Sequence, residues 1–148
     1  MNKLESIRKF KEWKNSWSNQ DSFGIFEYVS YNVHPDDVLI ISNLFFPQFI
    51  EYEGGIFFKE KFDIEIYNQA ALTYNKKDIE RTMNSIHVYD IFAYTDNVDE
   101  DTYVNVGNLL KLVWSNHLSR EYPNRHFKVD LIISEQEYGP ILRIFQIT

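Results

Sequence analysis

Apolar positions recur along the chain at two spacings, one helical and one of strict alternation, and their succession predicts an α+β fold. Val104–Tyr122 carries the clearest helical stripe: Val106, Leu109, Leu110, Val113, Trp114, His117 and Leu118 recur at i, i+3, i+4, and Pro123 ends the run. His126–Ser134 alternates instead. Phe127, Val129, Leu131 and Ile133 point one way, and His126, Lys128 and Asp130 the other, which predicts a half-buried strand. Ile141–Ile147 is its expected return strand after the loop Glu135–Pro140.

The rest of the chain follows from the same two spacings. Leu4, Ile7, Phe10, Trp13 and Trp17 predict a helix over residues 2–19, with Glu5–Lys9 and Arg8–Glu12 as supporting i,i+4 pairs. Phe23–Tyr31 fits a short helix or a strand. Pro35 suits the first position of a helix that carries Asp36 and Asp37 in its first turn and stops before Pro47. Phe49–Glu60 reads as a β-hairpin turning at Gly54-Gly55, which would set Tyr52 opposite Phe57. Two short helices are expected over 63–74 and 77–86, the second capped by Asn75. Residues 86–94 suit a helix or a strand, and residues 95–102 form a polar, acidic loop. The predicted architecture is α+β in one domain, residues 1–148, with two antiparallel hairpins in one sheet and three to five helices packed on it.

Composition narrows the function. The 12 Phe, 10 Tyr and 3 Trp predict an aromatic-rich core, with rings to spare for an interface. The absence of cysteine excludes disulfides, thiol nucleophiles and thiolate metal sites, and suits the cytoplasm. Residues 1–20 lack the apolar core of a secretory signal, and the longest apolar run, Val38–Phe46, is too short to span a bilayer.

The formal charge of −7 is unevenly spread. Lys3, Arg8, Lys9, Lys11 and Lys14 against Glu5 and Glu12 leave residues 1–20 at +3, and the remainder at −10. A body so acidic argues against nucleic acid and favours a basic protein partner. The basic residues of the first helix, interleaved with glutamates, read as an ordinary amphipathic surface.

Candidate chemistry is sparse. His34, Asp36, Asp37, His87 and Asp90 are the residues from which a metal-dependent hydrolase or phosphoesterase would be built, if the two segments converge. Helix initiation accounts for His34-Pro35-Asp36-Asp37 without any function, and His87 and Asp90 share a face only on a helix. His117 reads as a core or boundary histidine. No phosphate-binding glycine loop, nucleophile elbow or EF-hand spacing occurs. The expectation is therefore no catalytic residue, no metal and no cofactor. Binding is expected at Glu51 and Glu53 on the first hairpin and at Asp96, Asp99, Glu100 and Asp101 in the acidic loop.

The stretch Leu44–Phe58 (LFFPQFIEYEGGIFF), with its aromatic-Pro-x-Phe lead into a strand, a glycine turn and a second strand, resembles a pattern in small bacterial proteins of the polymorphic-toxin immunity type. Ile86–Phe92 (IHVYDIF) is similar to the same group. The resemblance covers about a sixth of the chain and implies a non-catalytic inhibitor that neutralises a toxin, with a basic toxin domain as partner and no site residues carried over. A structural or adaptor subunit is the remaining alternative to the hydrolase.

Overall fold

A computed structural model describes residues 3–147 of the protein. The chain is α+β and falls into two compact units, Met1–Leu44 and Phe45–Thr148.

The first unit is helical. A 3-10 turn at Leu4–Ser6 precedes helix α1 (Arg8–Asn15), another turn spans Gln20–Ser22, and helices α2 (Ile25–Asn32) and α3 (Pro35–Phe45) follow. The continuous helix expected over residues 2–19 is thus broken at Ile7, whose backbone is extended, and it ends at Ser16; residue 2 lies outside the described residues. Rings organise this unit. Phe10 and Trp13 of α1 pack on Tyr28 of α2, and Trp17 stacks on Phe23 at 4.7 Å and meets Tyr31 at 5.0 Å. The ambiguous segment Phe23–Tyr31 resolves as helix. Glu27 folds back to accept from the Gly24 N–H at 2.7 Å and closes the first turn of α2.

The second unit begins with the hairpin β1 (Phe49–Tyr52) and β2 (Gly55–Phe58). Its turn lies one residue earlier than the glycine pair suggests. Glu53 and Gly54 are the two central residues, both at positive φ (51° and 83°), so Tyr52 pairs with Gly55 and Ile50 with Phe57. Gly55 is needed as a strand residue, because a Cβ there would lie 2.7 Å from the Phe57 ring. The cross-strand aromatic pair is accordingly Phe49–Phe58, 5.0 Å apart.

Helices α4 (Ile64–Ala71) and α5 (Lys76–Met83) follow, each opened by a side-chain cap, that of α5 being the expected Asn75. Asp63 accepts from the N–H groups of Glu65 and Ile66, and Asn75 from that of Asp78. Residues 86–94, which suited either structure, divide between both: β3 (Ser85–His87) runs directly into α6 (Val88–Ile91). Helix α7 (Glu100–Glu121) buries Leu110, Trp114 and Leu118 of the predicted stripe, and Gly107 beside them. Strands β4 (Phe127–Ile132) and β5 (Ile141–Gln146) complete the unit.

The strands form two antiparallel sheets where one was expected. β1 pairs only with β2, and the second sheet has the order β3-β5-β4. The separation has a chemical cause. Alternate residues of an antiparallel strand aim their backbone groups to opposite sides, and those of Ile56 and Phe58 point away from β1 into buried side chains of α5. Glu80 Oε1 accepts from the Ile56 N–H at 2.9 Å. Asn84 accepts from the Phe58 N–H and donates to the Ile56 carbonyl at 2.7 Å. The second carboxylate oxygen of Glu80 accepts from the Gln146 N–H at 3.0 Å, and the Gln146 side chain reaches both Glu80 and the Gly54 carbonyl. Two side chains thus occupy the edge where a third strand would have paired.

β2 is buried on both faces as a result. Phe57 packs with Tyr67 and Ile79 on the side of α4 and α5, while Phe58 meets Trp114 of α7 at 5.1 Å. This is why Ile56-Phe57-Phe58 is a continuous apolar run.

Glu80 and Asn84 are 3% and 1% exposed, so their removal strands backbone groups in a dry core. Glu80→Ala and Asn84→Ala should each destabilise the protein by about 2–4 kcal/mol. Urea unfolding should show a lower midpoint at unchanged slope; a change within about 0.5 kcal/mol would remove the bridge from the account of the fold.

Candidate functional site

The residues singled out from sequence do not form one group. Glu51 and Glu53 each take a cation from within the fold. Glu51 is 2.6 Å from Arg125, whose guanidinium also reaches the Gly54 carbonyl, and Glu53 is 2.8 Å from Lys76. They do not share a strand face, because Glu53 sits in the turn. Lys76 holds the Glu53 carboxyl below the usual carboxylate range by hydrogen bond and charge. That contact favours the fold at neutral pH and is lost as pH falls through the lowered value.

The His34 segment is likewise used locally. Its Nδ1 accepts from the Asp36 N–H at 3.1 Å and lies 3.6 Å from the Asp36 carboxylate, at the start of α3. Among the described residues no group of three His, Asp or Glu side chains is placed to hold a metal ion. His117 is a boundary residue: its Nε2 lies 2.9 Å from the Pro47 carbonyl, which can only accept, so this nitrogen carries the proton.

His87 and Asp90 do converge, with a residue the sequence did not single out. Tyr138 lies in the loop between β4 and β5, and its ring stacks on His87 at 4.4 Å and an angle of 10°. Its hydroxyl donates to Asp90 Oδ1 at 2.5 Å, and its carbonyl accepts from His87 Nδ1 at 3.3 Å. Gly139, at φ +72°, makes the close approach possible: a side chain there would collide with the Tyr89 ring at 2.7 Å. Tyr89 in turn contacts Tyr103 at 4.6 Å and is coupled to the Glu100 carboxylate by hydrogen bond and charge.

The result is a rim in which Tyr89, Tyr103, Glu100 and Tyr138 link α6, the first turn of α7 and the β4–β5 loop. Four of the expected residues, Asp96, Asp99, Glu100 and Asp101, are exposed, and Glu100 is the one coupled to Tyr89. Asp99 immediately precedes α7, and Glu100 and Asp101 occupy its first turn, where carboxylates are favoured by the helix dipole. No Lys or Arg occurs between Arg81 and Lys111, and the β4–β5 loop adds Glu135 and Glu137. Tyr138 is 56% exposed, and Tyr94 stands fully in solvent. The Glu-Tyr-Gly-Pro run was the available signal for Tyr138: an aromatic residue followed by a turn glycine, held by proline between two strands.

Burial first, and then Glu100, raises the Tyr89 phenol. The hydrogen bond to Asp90, helped by burial, raises that of Tyr138. Both hydroxyls are thus held protonated, as donors.

No known protein family, curated protein or solved structure matches the chain.

Because the raised value belongs to the folded state, the Asp90–Tyr138 bond contributes its stability in full below the ordinary phenol range and loses it as pH climbs through the raised value. The phenolate absorbance difference between the protein and its Tyr138→Phe variant should titrate above the ordinary phenol range, and Asp90→Asn should return it there. A Tyr138 transition that Asp90→Asn leaves in place would show that this contact does not control the phenol.

Proposed function

We propose that this protein acts by binding another protein through the acidic, tyrosine-bearing rim at the start of α7, and that its partner is a basic protein domain. The observation that carries the reading is the juxtaposition of Tyr89, Tyr103 and Tyr138 with carboxylates on a 22-residue helix. Tyrosine supplies large contact area at low entropic cost, and it is enriched among residues that dominate interface energetics. Exposed carboxylates of one sign steer a basic partner toward it and raise the association rate. The rim is anchored on three secondary-structure elements, so little ordering is needed on docking.

In its cellular form this is the role of an immunity-type inhibitor. It would act in the cytoplasm of the producing cell and neutralise a toxin by covering its basic working surface. That extension rests on the charge of the chain and on the resemblance of Leu44–Phe58 and Ile86–Phe92, and it requires no catalytic group, metal or cofactor.

The test starts with affinity capture of the tagged protein from its own cells, together with co-expression of the products of neighbouring genes. The partner is expected to be a basic protein. Neutralising the rim is preferable to reversing its charge, because Glu100 and Asp101 stabilise the first turn of α7 by about 0.3–1 kcal/mol each. Asp96→Asn, Glu100→Gln and Asp101→Asn combined should slow association roughly three- to tenfold at low salt and flatten its dependence on ionic strength. Tyr138→Ala should act mainly on dissociation. An acidic partner, or a rate and salt dependence unmoved by the triple variant, would end this reading.

A further inference from the structure

Strand β4 forms one edge of its sheet, and its register shows what that edge presents. The Ile147 N–H donates to the His126 carbonyl, so these two residues are a hydrogen-bonded pair in line with the β4–β5 register. Alternation then turns the backbone groups of Lys128, Asp130 and Ile132 toward β5, and those of Phe127, Val129 and Leu131 away from it. No strand lies on that side among the described residues. β5 packs beside β4, and α7 packs over the face that carries Leu131, which lies against Gly107. An open edge is commonly blunted by proline, a bulge or an unmatched charge. β4 holds no proline and no glycine, and its six residues pair with β5 without a bulge. Its two charges, Lys128 and Asp130, are of opposite sign, lie on the face away from α7 and stand 3.2 Å apart.

We propose that the β4 edge pairs antiparallel with the β4 edge of a second copy of this chain, about a two-fold axis at Val129, so that two three-stranded sheets become one continuous sheet. Charge complementarity selects both the occupant and the register. Lys128-Val129-Asp130 read backward is Asp-Val-Lys, so this edge is its own complement. With the axis at Val129, Lys128 of each copy stands directly opposite Asp130 of the other. These are non-hydrogen-bonded positions, where facing side chains come closest. An axis at Lys128 or at Asp130 would set like charges face to face, and so would parallel pairing in register. An axis at Phe127 or Leu131 puts neither charge opposite the other. In the chosen register Val129 faces its own copy and Phe127 faces Leu131, and these are the residues whose N–H and C=O groups point outward; about six hydrogen bonds form. At roughly one bond per 100–200 Å² of interface, that corresponds to about 600–1,200 Å², the range of a weak, reversible dimer. The proposal uses no residue of the acidic rim and does not rest on the basic partner inferred above.

Sedimentation equilibrium of the full chain over about three decades of concentration should show the mass rising from that of one chain toward twice that value. Lys128→Glu sets a carboxylate opposite Asp130 and should hold the single-chain mass throughout. Lys128→Asp combined with Asp130→Lys restores the opposition and should restore the dimer. Asp130 also stands opposite Arg143 of β5, so circular dichroism checks that the swapped protein is folded. A second measurement leaves that contact out of account. The protein has no cysteine. Lys128→Cys mixed with Asp130→Cys should yield several-fold more disulfide-linked dimer on mild oxidation than either variant alone, because only the mixed pair brings the two thiols face to face. Amide exchange at Phe127, Val129 and Leu131 should slow as concentration rises, while Lys128 and Asp130, already bonded to β5, stay unchanged. The proposal is overturned if the mass stays that of one chain, if Lys128→Glu dimerises as the parent does, or if the mixed thiols link no better than each alone. Slow exchange of the three outward amides in a protein of single-chain mass would also overturn it, by showing an edge that the chain itself already covers.

Discussion

A buried carboxylate and a buried amide hold the second unit together. Glu80 and Asn84 stand four residues apart at the end of α5, so both face the hairpin edge. Between them they satisfy the outward backbone groups of Ile56 and Phe58, and Glu80 continues to the Gln146 N–H. In an apolar environment each of those groups would cost far more unpaired than it gains when paired. The bridge therefore acts less as an added attraction than as a condition on the fold. It lets β2 be buried on both faces, brings the hairpin beside β5, and leaves two sheets that do not merge.

Much of this was legible where local chemistry decides. The α7 stripe, the strand at β4, the Asn75 cap and the start of α3 at Pro35 were all read from neighbouring residues, and the structure places them there, although β4 ends at Ile132 and Ile133, expected on its buried face, is exposed. What was not legible depended on distant partners. The hairpin turn was displaced by one residue because Gly55 serves the Phe57 ring, which spacing alone does not reveal. Residues 86–94 matched both periods because they contain a strand followed by a helix. The division into two sheets depended on Glu80 and Asn84 being buried, and both look like surface residues in a charged helix.

The same limit shaped the reading of the site. Asp96, Asp99, Glu100 and Asp101 are a local cluster and were visible as one. Tyr138 meets His87 and Asp90 across 51 and 48 residues of sequence, contacts that follow from the β3–β5 pairing. Conversely, Glu51 and Glu53 looked available and are engaged by Arg125 and Lys76, cations remote in sequence. Exposure of an acidic residue is predictable from sequence far more readily than the identity of its neighbour.

The position of β5 bears on how the chain is made. It is the middle strand of its sheet, yet it follows both neighbours in sequence. On a translating ribosome, β3 and β4 emerge with no partner and must wait for residues 141–146 before either can pair. Glu80 waits as well, for the Gln146 amide that completes its set of donors. The hairpin and its helices can collapse early, but the three-stranded sheet closes only as a late step. Until then the apolar Ile86 and Val129 remain within reach of chaperones and of other nascent chains.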